Sequence, residues 1–484
     1  ACRTLEQAIA QAEPGEEIRI AGGVYAETVG VLQGGSMVTQ TAYISKPLVL
    51  RGGYEIADWV TDPPDHLAHT TTLSPTIGRA LYITGSVAVT LDRLDLAGGD
   101  ATDFSGGPSG ADAGGALYSN GADLTLHAVR IRDSLADVGG GLYSTGGELL
   151  IQNSLFHGDQ ALVNGGALYV ASGTATLQNN TFYMNTAAGS GGAVYVSPGT
   201  LVMTNTIFAN NTSASGAAAQ VASGTGVANY NLYHSNTPVN VSGITDGNAL
   251  TADPLFEAPA DEPPLLSLQV GSPAKDSGSP ATTLDIDYAN SARPLGLTYD
   301  RGAYERVPVY NLLFYPNTVT STLPGTQVVL THTLENIGDT ADAFVITASQ
   351  TQAWPVTFEQ PLPFTVTVGA GLSRVIPVTI TVPGSALGQM SVVITATSAS
   401  APELFASVTD TILVKSSAWA ISKQVTPVGP VLPGDYLTYT LTMTNVGELP
   451  TGTTRYTITD QLPAHTTYVR SEEHTSELQS RQVI

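Results

Sequence analysis

The sequence predicts an all-β protein made of a parallel β-helix followed by β-sandwich modules. A repeat of about 26 residues runs through much of the first half of the chain, and a fixed period of this length is typical of stacked structural units. Within each repeat, short apolar runs are separated by Gly, Asn, Ser and Asp, and no helical apolar period is present. The later part of the chain alternates Val, Thr and Ile between frequent turns, as sandwich strands do.

Four glycine-rich segments that end in tyrosine define the repeat: Gly114–Tyr118, Gly139–Tyr143, Gly165–Tyr169 and Gly191–Tyr195. Their tyrosines are 25, 26 and 26 residues apart. Because successive turns of a β-helix stack at about 4.8 Å, equivalent residues form columns. The columns predicted to fill the core are Phe156, Phe182 and Phe208, and Leu117, Leu142, Leu168 and Val194. The asparagine column, Asn153, Asn179 and Asn205, is predicted to form hydrogen bonds up the stack at a tight turn.

Both ends of the repeat region have features of caps. Thr4 to Gln7 has capping-box spacing, and Leu5 and Ile9 follow on one helical face, which predicts a short amphipathic helix over the first turn. A strand is expected next, over Glu17 to Ile20. At the other end, residues 253–305 are rich in Pro and Asp and lose the repeat, as in an irregular cap, so the β-helix is predicted to span residues 1–306.

Two further modules and a tail are predicted after the β-helix. Residues 307–415 read as a β-sandwich, with turns every 8 to 12 residues. Residues 416–469 begin a second module of the same kind, which is incomplete. Residues 470–484 contain the sequence RSEEHTSELQS, which resembles a translated sequencing adapter, and we expect this tail to be an artefact.

Composition excludes several classes of function. Lys and Arg number 18 against 41 Asp and Glu, a net charge of 18 − 41 = −23, which argues against nucleic acid as a partner. No run of 18 apolar residues occurs, so no membrane span is predicted in this chain. Cys2 is the single cysteine, which leaves no intramolecular disulfide.

Several motifs resemble those of bacterial surface proteins. The Gly-Gly-Ala-Leu columns combined with Phe-x-x-Asn, at Phe182–Asn185 and Phe208–Asn211, resemble the repeats of chlamydial polymorphic outer membrane proteins. The opening turns, up to Leu50–Tyr54, resemble pectin-lyase-like surface proteins. Arg293-Pro294 and Asp300–Glu305 resemble the cap of choice-of-anchor proteins.

The resemblance to β-helix proteins covers residues 1–306. Residues 307–415 resemble bacterial Ig-like stalk modules, and residues 416–469 resemble a surface repeat that carries Asn-Val-Gly. Together these resemblances imply a right-handed β-helix in an extracellular or cell-surface protein. They imply no defined reaction, because these families share an architecture rather than a chemistry.

The tyrosine column is the first candidate binding site. If the neighbouring Leu and Val point inward, strand alternation sends the tyrosines to the outer face, where they could contact sugar rings or a protein partner. Trp59, on a predicted loop, could join this site. The alternative is that the tyrosines pack under a loop or stabilise the ladder. The candidate ligand-binding residues are Tyr118, Tyr143, Tyr169, Tyr195 and Trp59.

An enzymatic site is the second possibility, because the β-helix is also a fold of pectin-degrading enzymes, although their motifs are absent. Asp123 and Glu148 occupy equivalent positions on neighbouring turns, near the separation of about 5 to 5.5 Å used by retaining glycosidases. In a lyase, Arg130 or Arg132 would take the proton while calcium held the substrate carboxylates. The alternatives are a solvated acidic face, calcium held by acidic turns, and arginines paired with Asp133.

A third cluster, near the predicted cap, contains Asp285, Asp287, Asn290 and Asp300. It could hold a metal, but its spacing departs from that of calcium loops, and Arg293 lies close by in sequence. The alternative is a salt-bridge cluster. No cofactor is predicted, apart from possible calcium.

The sequence thus favours a non-catalytic surface or secreted β-helix that acts in adhesion or in glycan or partner binding. Its expected partner is a polysaccharide or a surface protein of a host or neighbouring cell. The first alternative is a polysaccharide lyase or glycoside hydrolase acting on acidic polysaccharide. The second is a structural surface spacer.

Overall fold

The structure is a computed structural model that describes residues 2–33, 36–57, 64–104, 107–416, 418–448, 458–461, 464, 466–469 and 479–483. The chain divides into two compact units, residues 1–307 and 308–484, each of which is described by itself. Among the described residues, no helix has the length and apolar character needed to cross a bilayer.

The first unit is a parallel β-helix, which confirms the predicted fold. Each turn contributes one strand to each of three long sheets, named here in the order in which the chain visits them. The first sheet contains Glu17–Ala21, Leu48–Tyr54, Ala88–Asp92, Asp123–His127, Glu148–Gln152, Thr174–Gln178, Gly199–Thr204, Gly224–Asn229 and Thr245–Asp246. The second sheet contains Gly23–Tyr25, Thr71–Leu73, Asp95–Ala97, Arg130–Arg132, Leu155–His157, Thr181–Tyr183, Ile207–Ala209, Leu232–His234 and Leu250–Thr251.

The third sheet and a small sheet complete the coil. The third sheet contains Val29–Gln33, Ser36–Ile44, Arg79–Thr84, Leu117–Asn120, Leu142–Thr145, Leu168–Val170, Val194–Val196, Ala219–Val221 and Val241–Ser242. The small sheet contains Leu135–Val138, Gln160–Asn164 and Thr186–Ala187. Pairing is parallel throughout these four sheets, except that Val29–Gln33 runs antiparallel to Ser36–Ile44.

The predicted core columns are present. Leu117, Leu142, Leu168 and Val194 pair in register and are all fully buried. Phe156, Phe182 and Phe208 stack with ring centroids 4.7 and 5.1 Å apart. Each turn therefore places its large apolar side chain directly on that of the turn before.

A short helix, Leu5–Gln11, lies at the start of the β-helix, as the capping-box spacing predicts. The Thr4 side chain accepts a hydrogen bond from the backbone N–H of Gln7 at 3.2 Å. Leu5 and Ile9 are buried in the core of the coil. The helix therefore shields the apolar interior at the first turn.

A ladder of buried polar side chains runs through the coil beside the phenylalanine stack. The ladder consists of Asp159, Asn185, Asn211 and Asn236. Each side-chain oxygen accepts the backbone N–H of the equivalent residue one turn earlier, at 3.0 to 3.1 Å. The three asparagines also donate their amide to the backbone carbonyls of Phe156, Phe182 and Phe208. This ladder satisfies backbone groups that the corner would otherwise leave unpaired.

Residues 253–305, named here the flank segment, lie differently from the expected terminal cap. They pack along the outer face of the second sheet and reach back to the early turns, where Tyr288 meets His66 with ring centroids 4.7 Å apart. The segment contains a hairpin of Phe256–Ala258 and Leu265–Leu268. Because the flank segment runs along the second sheet instead of adding turns to the coil, it is long and lacks the 26-residue repeat.

The asparagine column holds the flank segment rather than mainly itself. Its three residues have φ of 49°, 54° and 54°, the tight-turn conformation that the sequence predicts. Asn153 donates to Ile286 O at 2.8 Å and Asn179 to Asp300 O at 3.0 Å. Within the column, Asn205 reaches Asn179 at 3.4 Å, but it makes a shorter bond, 2.7 Å, to Thr282 Oγ1.

Replacing Asn179 by alanine is expected to loosen the flank segment, at a cost of about 1 to 2 kcal/mol in local stability. The change removes the bond to Asp300 O. It also leaves alanine, which has a Cβ but no polar group, at a position of positive φ. Hydrogen exchange of residues 298–304 should become faster. Asn120→Ala, at an exposed strand end, is the matched control, and equal exchange in the two variants would contradict the anchoring role.

The second unit contains a β-sandwich with a buried apolar core, as predicted. One sheet consists of Leu312–Tyr315, Gln327–Asn336, Ser373–Thr381 and Val356–Phe358, in that order. The other consists of Thr318–Thr322, Phe405–Val414, Gln389–Ser398, Asp342–Gln350 and Phe364–Val368. A further antiparallel sheet contains Trp419–Thr426, Tyr436–Asn445, Gln479–Val483 and Thr467–Val469, the third of which lies in the tail.

Candidate functional site

The tyrosine column points away from the core, but it is buried, so the expectation of exposed rings is wrong. Tyr118, Tyr143 and Tyr169 are only 3 to 6% exposed, and Tyr195 is partly buried. Their rings follow one another at 5.0 to 5.4 Å. Strand alternation indicates which side of a sheet a residue takes, but not what covers that side. Val38, Phe104, Ala113 and Val138 pack over the rings.

Burial under this cover leaves the tyrosines as a structural ladder. Ring stacking of this kind stabilises neighbouring strands. Burial also raises the pKa of the Tyr143 phenol. Trp59, the other candidate ligand-binding residue, lies outside the described residues.

Asp123 and Glu148 are neighbours in the first sheet, as the repeat predicts, because the residues that follow them, Leu124 and Leu149, pair in register. Both side chains are exposed. Asp123 Oδ1 accepts the backbone N–H of Glu148 at 2.9 Å. An exposed carboxylate that already accepts a backbone hydrogen bond fits a solvated turn better than a glycosidase pair.

Arg130 and Arg132 both bind Asp95, one turn earlier. Arg130 forms two bonds to its carboxylate, at 2.8 and 3.0 Å, and Arg132 Nε lies 3.2 Å from Oδ1. Arg132 also pairs with Asp133 at 3.0 Å, as one alternative predicted. Although burial opposes its charge, the bond to Asp95 raises the pKa of Arg130, so this arginine is a poor base for a lyase reaction.

Three of the eight histidines lie around these ion pairs, although they are scattered in the sequence. His127 Nδ1 is 3.0 Å from Asp92 Oδ1, and His157 pairs in register with Arg132. His66 packs edge-on against Tyr288 under the flank segment. Burial lowers the pKa of His66 and of His157 to about 4, so both are neutral near pH 7.

Asp92 completes this cluster. Burial tends to raise the pKa of its carboxyl, but the His127 hydrogen bond and the charge of Arg93 outweigh burial and hold the pKa below its ordinary value. Arg51 also contacts it, at 2.7 Å. The result is a charge-neutralised network at the edge of the first sheet, joined to the flank segment through the bond of Arg93 to Asn290, and it suits packing better than catalysis.

The acidic cluster of the flank segment uses its oxygens on the protein itself. Asp287 accepts the backbone N–H groups of Ser291 and Glu305, at 2.7 and 2.8 Å. Asp300 accepts those of Asp276 and Arg306, both at 2.6 Å. Carboxylate oxygens that already accept N–H groups do not form a calcium cage.

Arg293 supplies the positive charge of this cluster through a buried ion pair with Glu305 at 2.9 Å. Burial raises the pKa of Asp300 to about 6 and that of Glu305 to about 7. Asp285 contributes a backbone carbonyl, which accepts from the N–H of Arg293. The described residues contain no group of three His, Cys, Asp or Glu side chains arranged to hold a metal. The salt-bridge interpretation fits these contacts.

Within the described part of the first unit, one long sheet face is left uncovered. The second sheet lies under the flank segment and the third under the cover of the tyrosines, whereas the outward side chains of the first sheet are mostly half-buried or exposed. We name this surface the first-sheet face. Its central column is Thr90, Thr125, Leu150, Thr176, Val202 and Val227.

Polar residues border that central column on both sides. One border is Asp123, Glu148, Thr174, Thr200 and Thr225, and the other is His127, Gln152, Gln178, Thr204 and Asn229. Gln152 donates to Gln178 at 2.9 Å, which orders the amides along the stack. The sequence could have indicated this face, because its columns share the period of the tyrosines.

Comparison with known proteins supports the β-helix. Residues 80–252 match the family described as "Right handed beta helix region", that is, 173 of the 484 residues. No curated protein matches this chain.

Similarity to solved structures is low. The secreted serine protease VesC from Vibrio cholerae matches with 10% identity and a TM-score of 0.19, over 27% of this chain and 34% of that one. This chain therefore spans about a third of that protein. PapD-like domain 7 of human CEP192 matches with 12% identity and a TM-score of 0.17, over 23% of this chain and 89% of that one. A mutant Salmonella alpha-2-macroglobulin matches with 11% identity and a TM-score of 0.17, over 29% of this chain and 9% of that one.

Proposed function

We propose that this is an extracellular or cell-surface adhesion protein that binds its partner through the first-sheet face. The observation that carries the proposal is that this long sheet face is left open, while the other two long sheets are covered by the chain's own residues. The resemblance to bacterial surface β-helix proteins supports the location.

The chemistry of the face favours a protein as the partner. The central column combines three threonines with Leu150, Val202 and Val227, and its borders carry amides, hydroxyls and carboxylates, so the face is most apolar at its centre, as protein interfaces usually are. The three columns contain no Phe, Tyr or Trp on which a sugar ring could stack. At about 4.8 Å per turn, the central column extends over about 24 Å.

A bead-adhesion assay tests this proposal. Beads coated with the full chain are mixed with a panel of bacterial and epithelial cells, which are untreated, treated with protease or oxidised with periodate. We expect protease treatment, rather than periodate, to abolish binding. The double variant Thr125→Arg, Thr176→Arg places two cations on the central column and should reduce adhesion about tenfold, as loss of an interface centre does.

Gln160→Arg is the control, because it adds the same side chain at an exposed position of the small sheet. This variant should adhere like the wild type. Unchanged adhesion in the double variant would overturn the assignment of the face. Adhesion that survives protease but not periodate would instead assign a glycan receptor and overturn the choice of a protein partner.

A further inference from the structure

A small cleft lies on the second sheet, where a short side chain separates two longer ones. Strand pairing places Tyr183, Ala209 and His234 in one column on successive turns. Because Ala209 carries only a methyl group, it leaves a gap between the side chains above and below it. Asp253 and Phe256 of the flank segment line the same cleft, which has a volume of about 210 Å³.

Several hydrogen-bonding groups of this cleft have no partner among the described residues. Tyr183 is 7% exposed, yet its hydroxyl forms no hydrogen bond with them. The side-chain amide of Asn210, at the exposed corner beside the cleft, likewise has none. The Tyr183 hydroxyl is not enclosed by the protein, so it opens into the cleft and is free to form a hydrogen bond with a ligand.

The carboxylate at the mouth of the cleft is fixed in place. Asp253 Oδ1 accepts the backbone N–H of Leu255 at 2.9 Å. Its other oxygen lies 3.8 Å from His234 Nε2, too far for a hydrogen bond, and is available to a ligand. A positioned carboxylate can accept hydrogen bonds from two adjacent hydroxyl groups.

The apolar wall complements these polar groups. Tyr183 and Phe256 pack edge-to-face with ring centroids 5.7 Å apart. Aromatic rings beside a carboxylate, an amide and a phenol suit a ligand with one apolar face and several hydroxyls. The cleft is smaller than the 300 Å³ or so at which drug-sized pockets begin, so it fits a single ring. The net charge of −23 disfavours an anionic ligand.

We propose that this cleft binds the terminal sugar of a neutral glycan, with Tyr183, Asn210 and Asp253 as its hydrogen-bonding residues. This site goes beyond the adhesion proposed above and is independent of it, because the cleft is on the second sheet and the adhesive face is on the first. It gives the β-helix a second ligand, of a different chemical class.

Titration of the full chain with the methyl glycosides of glucose, galactose, mannose, fucose and N-acetylglucosamine tests the site, with saturation-transfer NMR as the readout. We expect saturable binding of at least one of these sugars. Tyr183→Phe removes only the hydroxyl and Asp253→Asn only the charge, and each should weaken binding about tenfold, as expected for one hydrogen bond of this kind.

Ala209→Leu fills the cleft without removing a polar group and should abolish binding. The fold should tolerate it, because the equivalent positions in the neighbouring turns hold Tyr183 and His234. Asp261→Asn, an exposed carboxylate elsewhere in the flank segment, is the control for Asp253→Asn and should bind like the wild type.

The outcomes separate this proposal from the adhesive one. Failure of all five sugars to bind, or wild-type binding in Ala209→Leu, would overturn the cleft assignment. The Thr125→Arg, Thr176→Arg variant should bind sugar normally, and Ala209→Leu should adhere to cells normally. Loss of both activities in both variants would overturn the independence of the two sites.

Discussion

Replacing Asp159 by asparagine is expected to stabilise the β-helix by about 2 to 4 kcal/mol at pH 7. Asp159 is the one acid in a ladder otherwise formed by Asn185, Asn211 and Asn236, and it is completely buried. Its Oδ1 accepts the N–H of Ser134 at 3.1 Å, but its Oδ2 has no hydrogen-bond partner. In the next two turns, the atom equivalent to Oδ2 is the side-chain amide nitrogen of Asn185 or Asn211, which donates to the backbone carbonyl of Phe156 or Phe182. Ile131, which pairs with Phe156, supplies the equivalent carbonyl one turn earlier.

The pH dependence of this effect has a definite sign. Burial raises the pKa of Asp159 well above its ordinary value. The folded wild type therefore keeps its full stability while the carboxyl is protonated, below the unfolded pKa of about 3.9, and loses stability as the pH rises from there through the raised pKa. The gain from Asp159→Asn should be small near pH 3 and should grow towards pH 7.

Hydrogen exchange of the strands Leu155–His157 and Thr181–Tyr183, measured at pH 4 and 7, would detect this difference. Asn185→Asp is the matched control, because it makes the reverse change one turn higher and should destabilise the coil at neutral pH. Equal protection of the wild type and Asp159→Asn at pH 7 would contradict the prediction, because it would mean that the Asp159 carboxyl is not destabilising in the folded coil.

The sequence predicted the parts of the β-helix that depend on equivalence between turns. Phe182 pairs with Phe208 because 26 residues complete one turn, and the same count places Leu142 beside Leu168. A column of identical residues needs no knowledge of distant segments. The direction of each side chain, inward or outward, followed from strand alternation in the same way.

The contacts that the sequence did not predict join segments with no common period. Asn179 binds Asp300, 121 residues later, and no local pattern links them. Arg130 binds Asp95, 35 residues earlier, because the turn between them is longer than the repeat. The cleft around Ala209 was missed for the same reason. It depends on Asp253 and Phe256, which reach the second sheet only after the repeat has ended.

A buried ion pair joins the two sheets of the sandwich. His332, in the strand Gln327–Asn336, and Asp410, in the strand Phe405–Val414, are both fully buried. His332 Nε2 is 2.9 Å from Asp410 Oδ2, and Nδ1 is 2.9 Å from the carbonyl oxygen of Pro316. A carbonyl oxygen and a carboxylate both accept hydrogen bonds, and an imidazole can donate from both nitrogens only when it is protonated. The geometry thus fits a charged imidazolium.

Replacing Asp410 by alanine is expected to destabilise the sandwich by about 3 to 5 kcal/mol, the usual cost of removing one member of a buried pair. Burial by itself would lower the pKa of His332, but the hydrogen bond and charge of Asp410 raise it above its ordinary value. The stability that the wild type gains from this pair is therefore complete below the unfolded pKa of about 6.5 and is lost as the pH rises through the raised pKa. In Asp410→Ala, burial is opposed only by the hydrogen bond to the Pro316 carbonyl, so the variant should instead become less stable towards acid pH.

Hydrogen exchange of the strand Gln327–Asn336 between pH 5 and 9, corrected for the intrinsic rate, measures this change of sign. The double variant His332→Leu, Asp410→Leu is the control, because two apolar side chains can replace a buried pair at little cost. It should keep most of the wild-type stability and lose the pH dependence. A wild-type sandwich whose stability rose from pH 6.5 to 9 would show that the folded pair holds no proton, with a neutral His332 beside an ionised Asp410. That result would contradict the imidazolium assignment, because the pair would then gain nothing from the protonation of His332.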